Sequence, residues 1–324
     1  MDRKETTRRE FLKILGGSSL LMMLPMSEGC LDWQGYPVSL VKSTDDSYSI
    51  KRALDMIGGL DFIKSGDSVL LKLALNSPNP FPATTSPSMV SELIKLLHDR
   101  GAGDILVGDK SPSWRDTMDC MHQTGIYQAA INEGAEAVEF DDLEMVHVKP
   151  ELAIHWPDGF SMPKLFNQVD HIIALPTLRT HQLAGFTMGL KIFVGVLPQD
   201  DRFSIHSSPD FLQGIAEIAL CTDKIRLSIL DARQGFSEDG PDQGTLINPN
   251  TIIASNNVVA ADAVGLALLK SIGTTSDLMS TSVWDHPTIK RGVQIYSPSL
   301  SLETMDISWE GLDTMEEIVG QLLP

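Results

Sequence analysis

Short runs rich in Val, Ile and Leu alternate along the chain with stretches in which apolar residues recur every three or four positions. The runs at 69–73, 105–107, 137–139, 171–175, 225–230 and 251–255 have the length and β-branched content of strands. Between the first two, Val90, Leu93, Ile94 and Leu97 form one helical stripe; Pro87 stands near its start and Gly101 closes it. Helical spacing also covers 47–57, 124–133, 209–220 and 257–271. Strand and helix in alternation predict a three-layer α/β fold, a mainly parallel sheet with helices on both faces, in a single domain or a bilobal one.

In open sheets of this kind ligands collect beyond the carboxyl ends of the strands, where loop amides and helix N-termini converge. The residues at those ends are Asn76, Asp109, Arg179-Thr180-His181 and Asp231. An aspartate just past a strand also serves as a turn or cap residue, and Asp109 alone carries both readings. Asp262, inside the helical pattern that begins near Asn257, faces either a ligand or the helix dipole.

The first 29 residues stand outside this pattern. Thr7-Arg8-Arg9-Glu10-Phe11-Leu12-Lys13 sets an arginine pair ahead of an apolar run of 13 residues, 14–26, broken by Gly16 and Gly17. About 18 apolar residues are needed to span a bilayer, so the run reads as a twin-arginine signal peptide over 1–29. It implies the twin-arginine translocase as a partner during export and a periplasmic or extracytoplasmic destination. Ser27-Glu28-Gly29 suits ordinary cleavage, while Cys30 at the next position is a candidate for lipidation, the one route to membrane attachment. The α/β domain then covers 30–324.

Charge narrows the partners. Residues 30–324 hold 20 Lys or Arg and 39 Asp or Glu, a formal charge of −19. Such a surface repels phosphate backbones, which argues against nucleic acid. An anionic ligand needs a local group of cations. The three cysteines, Cys30, Cys120 and Cys221, include no C-x-x-C, so this chain alone ligates no iron–sulfur cluster and no Cys-rich zinc site. A Cys120–Cys221 disulfide is permitted outside the cytoplasm, and a buried thiol suits Cys221.

The cations gather in LPTLRTHQLAGFTMGLKIFVGVLPQDDRFSIH, residues 175–206, which holds Arg179, His181, Lys191, Arg202 and His206. Gly185, Gly189 and Gly195 punctuate it, as tight turns or close backbone approach require. Cations beside glycines suit a carboxylate or phosphate held by side chains and backbone amides together. The plain alternative is pairing with the chain's many carboxylates. His98, His122, His147, His155, His171 and His286 lie outside this group and are given no site role.

The same residues carry a resemblance to the domain of unknown function 362 family. They are the triplet Arg179-Thr180-His181, the turn Gly189-Leu190-Lys191, the tail Gly195-Val196-Leu197-Pro198, and the spaced Arg202 and His206. Leu71-Lys72 through Asn76, Ala83-Thr84-Thr85, Val107-Gly108-Asp109, Leu230-Asp231, Gly240-Pro241 and Ala260-Ala261-Asp262-Ala263-Val264 extend it over about residues 69–270. The chain departs from the family where Lys-Pro-Asn is common after the first strand and Lys-Asn in the glycine turn; here stand Lys72-Leu73-Ala74-Leu75-Asn76 and Lys191-Ile192. Many such relatives carry a ferredoxin-like module that three cysteines cannot supply. The resemblance implies no established reaction.

Two functions remain in view. In one, the chain is an exported enzyme, or an enzyme-like protein, for an anionic small molecule. Arg179, Thr180, Lys191, Arg202, Lys72 and Asn76 bind the anion, His181 and His206 move protons with Lys191, and Asp109, Asp231 or Asp262 orient them. A subsidiary version uses a divalent metal held by ligands from His181, His206, Asp109, Asp231 and Asp262. In the other, the protein binds its ligand without turnover, which needs the cations but no titrating histidine. The chain has no G-x-S-x-G, P-loop or G-x-G-x-x-G after a strand, so hydrolase, nucleotide and dinucleotide readings lack support.

Overall fold

The structure is a computed structural model that describes residues 35–324. Residues 1–29, expected to be a signal peptide, and Cys30 lie outside the described residues. Thirteen strands are described: β1 (Tyr36–Lys42), β2 (Val69–Leu73), β3 (Ile105–Asp109), β4 (Glu136–Glu139), β5 (Met145–Val148), β6 (Phe160–Pro163), β7 (His171–Leu175), β8 (Thr177–His181), β9 (Gly185–Thr187), β10 (Ile225–Phe236), β11 (Leu246–Ile247), β12 (Thr251–Ser255) and β13 (Met305–Glu310).

Eleven of them form one sheet, whose main path runs β13-β1-β12-β10-β7-β2-β3-β4. Along that path β4, β3, β2, β7 and β10 are mutually parallel, and β12 alone runs against the rest. β5 and β6 make a separate antiparallel pair. Chain order proceeds outward from β2 through β3 to β4 on one side and through β7 to β10 on the other. The strand order therefore reverses between β2 and β7, where sheets of this type leave a crevice at their carboxyl ends.

All five residues of β2 are buried, because the strand has helices above and below it. Alternation divides them. Val69, Leu71 and Leu73 pack with helices Asp46–Asp55, Pro87–Asp99, Thr117–Thr124 and Ile126–Asn132 through residues such as Ile50, Leu93, Met121 and Ala130. Leu70 faces the other way, into a core shared with Phe211–Ile218, Val258–Ile272, Pro287–Tyr296 and Met315–Gln321. Two cores on two faces make the three-layer arrangement that the pattern predicts.

The sequence pattern misplaces some elements. The expected helix over 124–133 is present as Ile126–Asn132, but a further helix, Thr117–Thr124, precedes it unexpected, and Gly125 at φ +82° ends that first helix and starts the second. Arg179-Thr180-His181, placed by the pattern beyond the end of β7, belong to a further strand, β8, which pairs with β9 and with β10 across a register shift between Asp231 and Gly235. Cys120 and Cys221 are free, buried thiols. Among the described residues no helix is long and apolar enough to cross a membrane.

Candidate functional site

A cleft of about 410 Å³ opens at the carboxyl ends of β2, β3 and β8. Three segments supply most of it: Ala74-Leu75-Asn76 after β2, Asp109 to Trp114 at the end of β3, and residues 179–206.

Beneath the cleft, Lys72 is wholly buried, and its ammonium donates to Asp109 Oδ1 at 2.7 Å and to the Leu73 carbonyl at 2.8 Å. Burial pushes the amine below its ordinary value, and Asp109 opposes that. The other carboxylate oxygen accepts the Leu75 N–H at 2.8 Å, while Lys110 N–H donates to Oδ1 at 2.7 Å. Lys72 thus supports Asp109 and does not line the cleft. A Cβ at Gly195 would stand 2.1 Å from Asp109 Oδ1, so this glycine is what lets the following turn close over the pair.

The pleat of β8 sorts the triplet. Side chains two apart share a face, so Arg179 and His181 turn into the cleft and Thr180 turns away to accept the Gly240 N–H at 3.0 Å. Arg179 is 2% exposed and is held by neutral oxygens only: Asn76 Oδ1 at 3.0 Å, the Pro241 carbonyl at 3.1 Å and the Ala83 carbonyl. Its Nε is buried without a hydrogen-bond partner. Burial pulls this guanidinium down to about 10, against the pull of Asp242 and Asp109. His181 accepts the N–H groups of Leu183 and Ala184 on Nδ1, at 3.1 and 3.2 Å, so its proton sits on Nε2. Burial first, then Lys191, Arg179 and His206, push it down to about 2. It is a neutral donor.

Lys191 opens the 3₁₀ turn Lys191–Val196. The turn is fixed from behind by Asp262, whose oxygens accept the Gly189 and Leu190 N–H groups at 2.7 and 2.8 Å. Burial raises that carboxyl to about 7, against those two bonds. The Lys191 ammonium lies 6.0 Å from the centre of the Phe211 ring and has no hydrogen bond or ion pair among the described residues. Burial, then Arg179 and Arg202, bring it down to about 7.

Helix Gln199–His206 presents Gln199, Arg202, Phe203 and His206 to the cleft, the spacing of one helical face. Arg202 donates to the carbonyls of Ser111 at 2.9 Å and Lys110 at 3.1 Å, and its Nε is buried without a hydrogen-bond partner. Burial lowers its guanidinium too. His206 Nδ1 lies 2.7 Å from the Arg202 carbonyl, which can only accept, so Nε2 is left as an acceptor. Burial also lowers this imidazole.

The cleft therefore brings together Arg179, His181, Lys191, Arg202, His206, Asn76 and Asp109. Four expected residues stand elsewhere, each for a local reason. Thr180 faces away on the pleat, Lys72 lies under Asp109, and Asp262 clamps the glycine turn. Asp231 forms a two-pronged pair with Arg233, at 2.9 and 2.6 Å, which also reaches Asp46. The five residues proposed as metal ligands are split by these arrangements, with His181 and His206 at the cleft and Asp231 and Asp262 away from it. Sequence reasoning missed Lys110, Trp114, Phe203 and Asp242. Asp242, hydrogen-bonded to Asn76, follows the Gly240-Pro241 step, and Phe203 falls on the helical face of Arg202 and His206; both were in reach of the pattern.

Residues 69–267 match the family described as Domain of unknown function (DUF362). The chain belongs to that family. The cationic group and the three strand ends that frame it all lie within the DUF362 span. The chain is also similar to the thylakoid-associated protein sll1697 of Synechocystis sp. (strain ATCC 27184 / PCC 6803 / Kazusa), at 27% identity over 227 residues, 67% of each chain.

Proposed function

We propose that this DUF362 protein is an exported enzyme acting on an anionic small molecule, carboxylate or phosphate, bound by Arg179, Lys191 and Arg202. One observation carries the reading: none of these three cations is ion-paired among the described residues, in a chain of net charge −18. Neighbouring Lys72 and Lys110 do have carboxylate partners, at 2.7 and 2.6 Å. Two buried arginines held by neutral carbonyls retain a full charge for a ligand to meet. His206 Nε2 takes a proton from the bound molecule, and His181 Nε2–H donates to it. In this reading the two histidines expected to move protons act as a pair, His206 as acceptor and His181 as donor, beside Lys191. Export to an extracytoplasmic site is part of the reading, supported by the arginine pair and, weakly, by the relative whose name associates it with thylakoids.

An anion that binds only the folded state raises the melting temperature. Acetate or inorganic phosphate should do so for the wild type. Lys191→Met and Arg202→Gln should stay folded without ligand and lose that rise. Equal rises in wild type and both variants would leave the cluster a charged structural loop. The competing reading is a non-catalytic binder, which needs the cations but no titrating histidine. His206→Gln separates the two: retained anion affinity with lost turnover marks the enzyme, and unchanged behaviour in both marks the binder.

A further inference from the structure

Trp114 at 77% and Phe203 at 70% are the most exposed large apolar side chains among the described residues, and both line this cleft. They come from different elements. Trp114 lies between β3 and helix Thr117–Thr124, and Phe203 follows Arg202 on helix Gln199–His206. Neither ring stacks on another aromatic ring among the described residues.

Each such ring left in water forgoes the stabilisation that burial of an aromatic side chain brings. Single exposed apolar residues are ordinary, but two at one concave site mark a surface that a ligand covers. The wall of the cleft is apolar as well, built from Ala74, Leu75, Pro112, Ile192 and Val194. The site thus has cations and imidazoles together with apolar walls and two aromatic faces. Its volume, about 410 Å³, falls in the range that encloses drug-sized molecules.

We propose that the ligand is an aryl anion, whose carboxylate or phosphate meets Arg179, Lys191 and Arg202 while its planar ring packs against Trp114 and Phe203. This rests on the anion reading above and adds the chemistry of the rest of the molecule. Offset or edge-on ring contacts add to burial, enough together for about a tenfold gain in affinity.

Binding of 1-naphthoate, 1-naphthyl phosphate, octanoate, acetate and inorganic phosphate to the purified full chain is measured by calorimetry and tryptophan fluorescence. The expected result is a preference of about tenfold for each naphthyl anion over its ring-free counterpart. Trp114→Ala and Phe203→Ala, both surface changes, should each erase most of that preference and leave acetate and phosphate binding unchanged. Trp114→Ala should also remove the ligand-induced change in emission. Which naphthyl anion binds tighter assigns the head group as carboxylate or phosphate. If acetate or phosphate binds and the ring adds nothing, the anion reading stands and this one is overturned. Octanoate equal to naphthoate would mean that any apolar chain suffices, and overturns the aromatic assignment. An emission shift with phosphatidylcholine vesicles but not with naphthoate would make the rings a lipid contact, which also overturns it. If no anion binds at all, both readings fall together.

Discussion

An ammonium group inside a protein normally settles against a carboxylate, and Lys191 instead has two guanidinium groups for neighbours. Their repulsion and the loss of water favour the neutral amine. Because its folded pKa, about 7, lies below the ordinary 10.5, the folded protein holds fewer protons than the unfolded chain between those values. Stability from this residue is therefore fully present above about 10.5 and is lost as pH falls through about 7. Melting curves of wild type and Lys191→Met should show it: the wild type gains on the variant, by up to a few kcal/mol, as pH rises from 7 toward 10. Curves that stay parallel across that range would show an ordinary ammonium. A bound anion reverses the preference, so ligand binding near pH 8 draws a proton onto Lys191. His181 and His206 differ by the same logic of partners: backbone N–H groups fix one ring as a donor and a backbone carbonyl fixes the other as an acceptor.

At the scale of elements, the 3₁₀ turn Lys191–Val196 is held at both ends, by Asp262 on Gly189 and Leu190 and by the close approach of Gly195 to Asp109. Gly195→Ala would drive a methyl group into Asp109 Oδ1 and to 3.0 Å from Lys72 Nζ, and should cost roughly 1–3 kcal/mol in denaturant unfolding. An unchanged midpoint would show that the Lys72–Asp109 pair moves aside freely. These supports also mark what the sequence made legible. The parallel strands, the Val90 stripe and the Asn257 cap follow from periodicity and capping, which are local. Strand β8 escaped because its partner, the far half of β10, lies some fifty residues away beyond a register shift. The cations of 179–206 were legible as a cluster because they stand against so acidic a background. That Asp231, Asp262 and Thr180 stand away from the cleft was not legible, since a position at a strand end or on a helix says nothing about which backbone N–H or arginine will reach it.

Over the whole molecule acid is in excess, and Arg179, Lys191 and Arg202 in the cleft stand against it without carboxylate partners of their own among the described residues. At a net charge of −18 the protein should favour small anions, for which short-range contacts outweigh long-range repulsion, over polyanions. Export belongs to this scale too, because the arginine pair at 8 and 9 lies outside the described fold. Arg8→Lys together with Arg9→Lys should leave full-length precursor in the cytoplasm, checked by fractionation, and normal delivery of that variant would remove the twin-arginine reading. The cleft has one further property. Arg179, His181, Lys191, Arg202 and His206 come from a single uninterrupted stretch, while the sheet edge beneath them comes from β2 and β3. A recombination event exchanging that one stretch therefore carries every cation and imidazole of the binding group to its new host at once, and leaves the scaffold's own inheritance untouched.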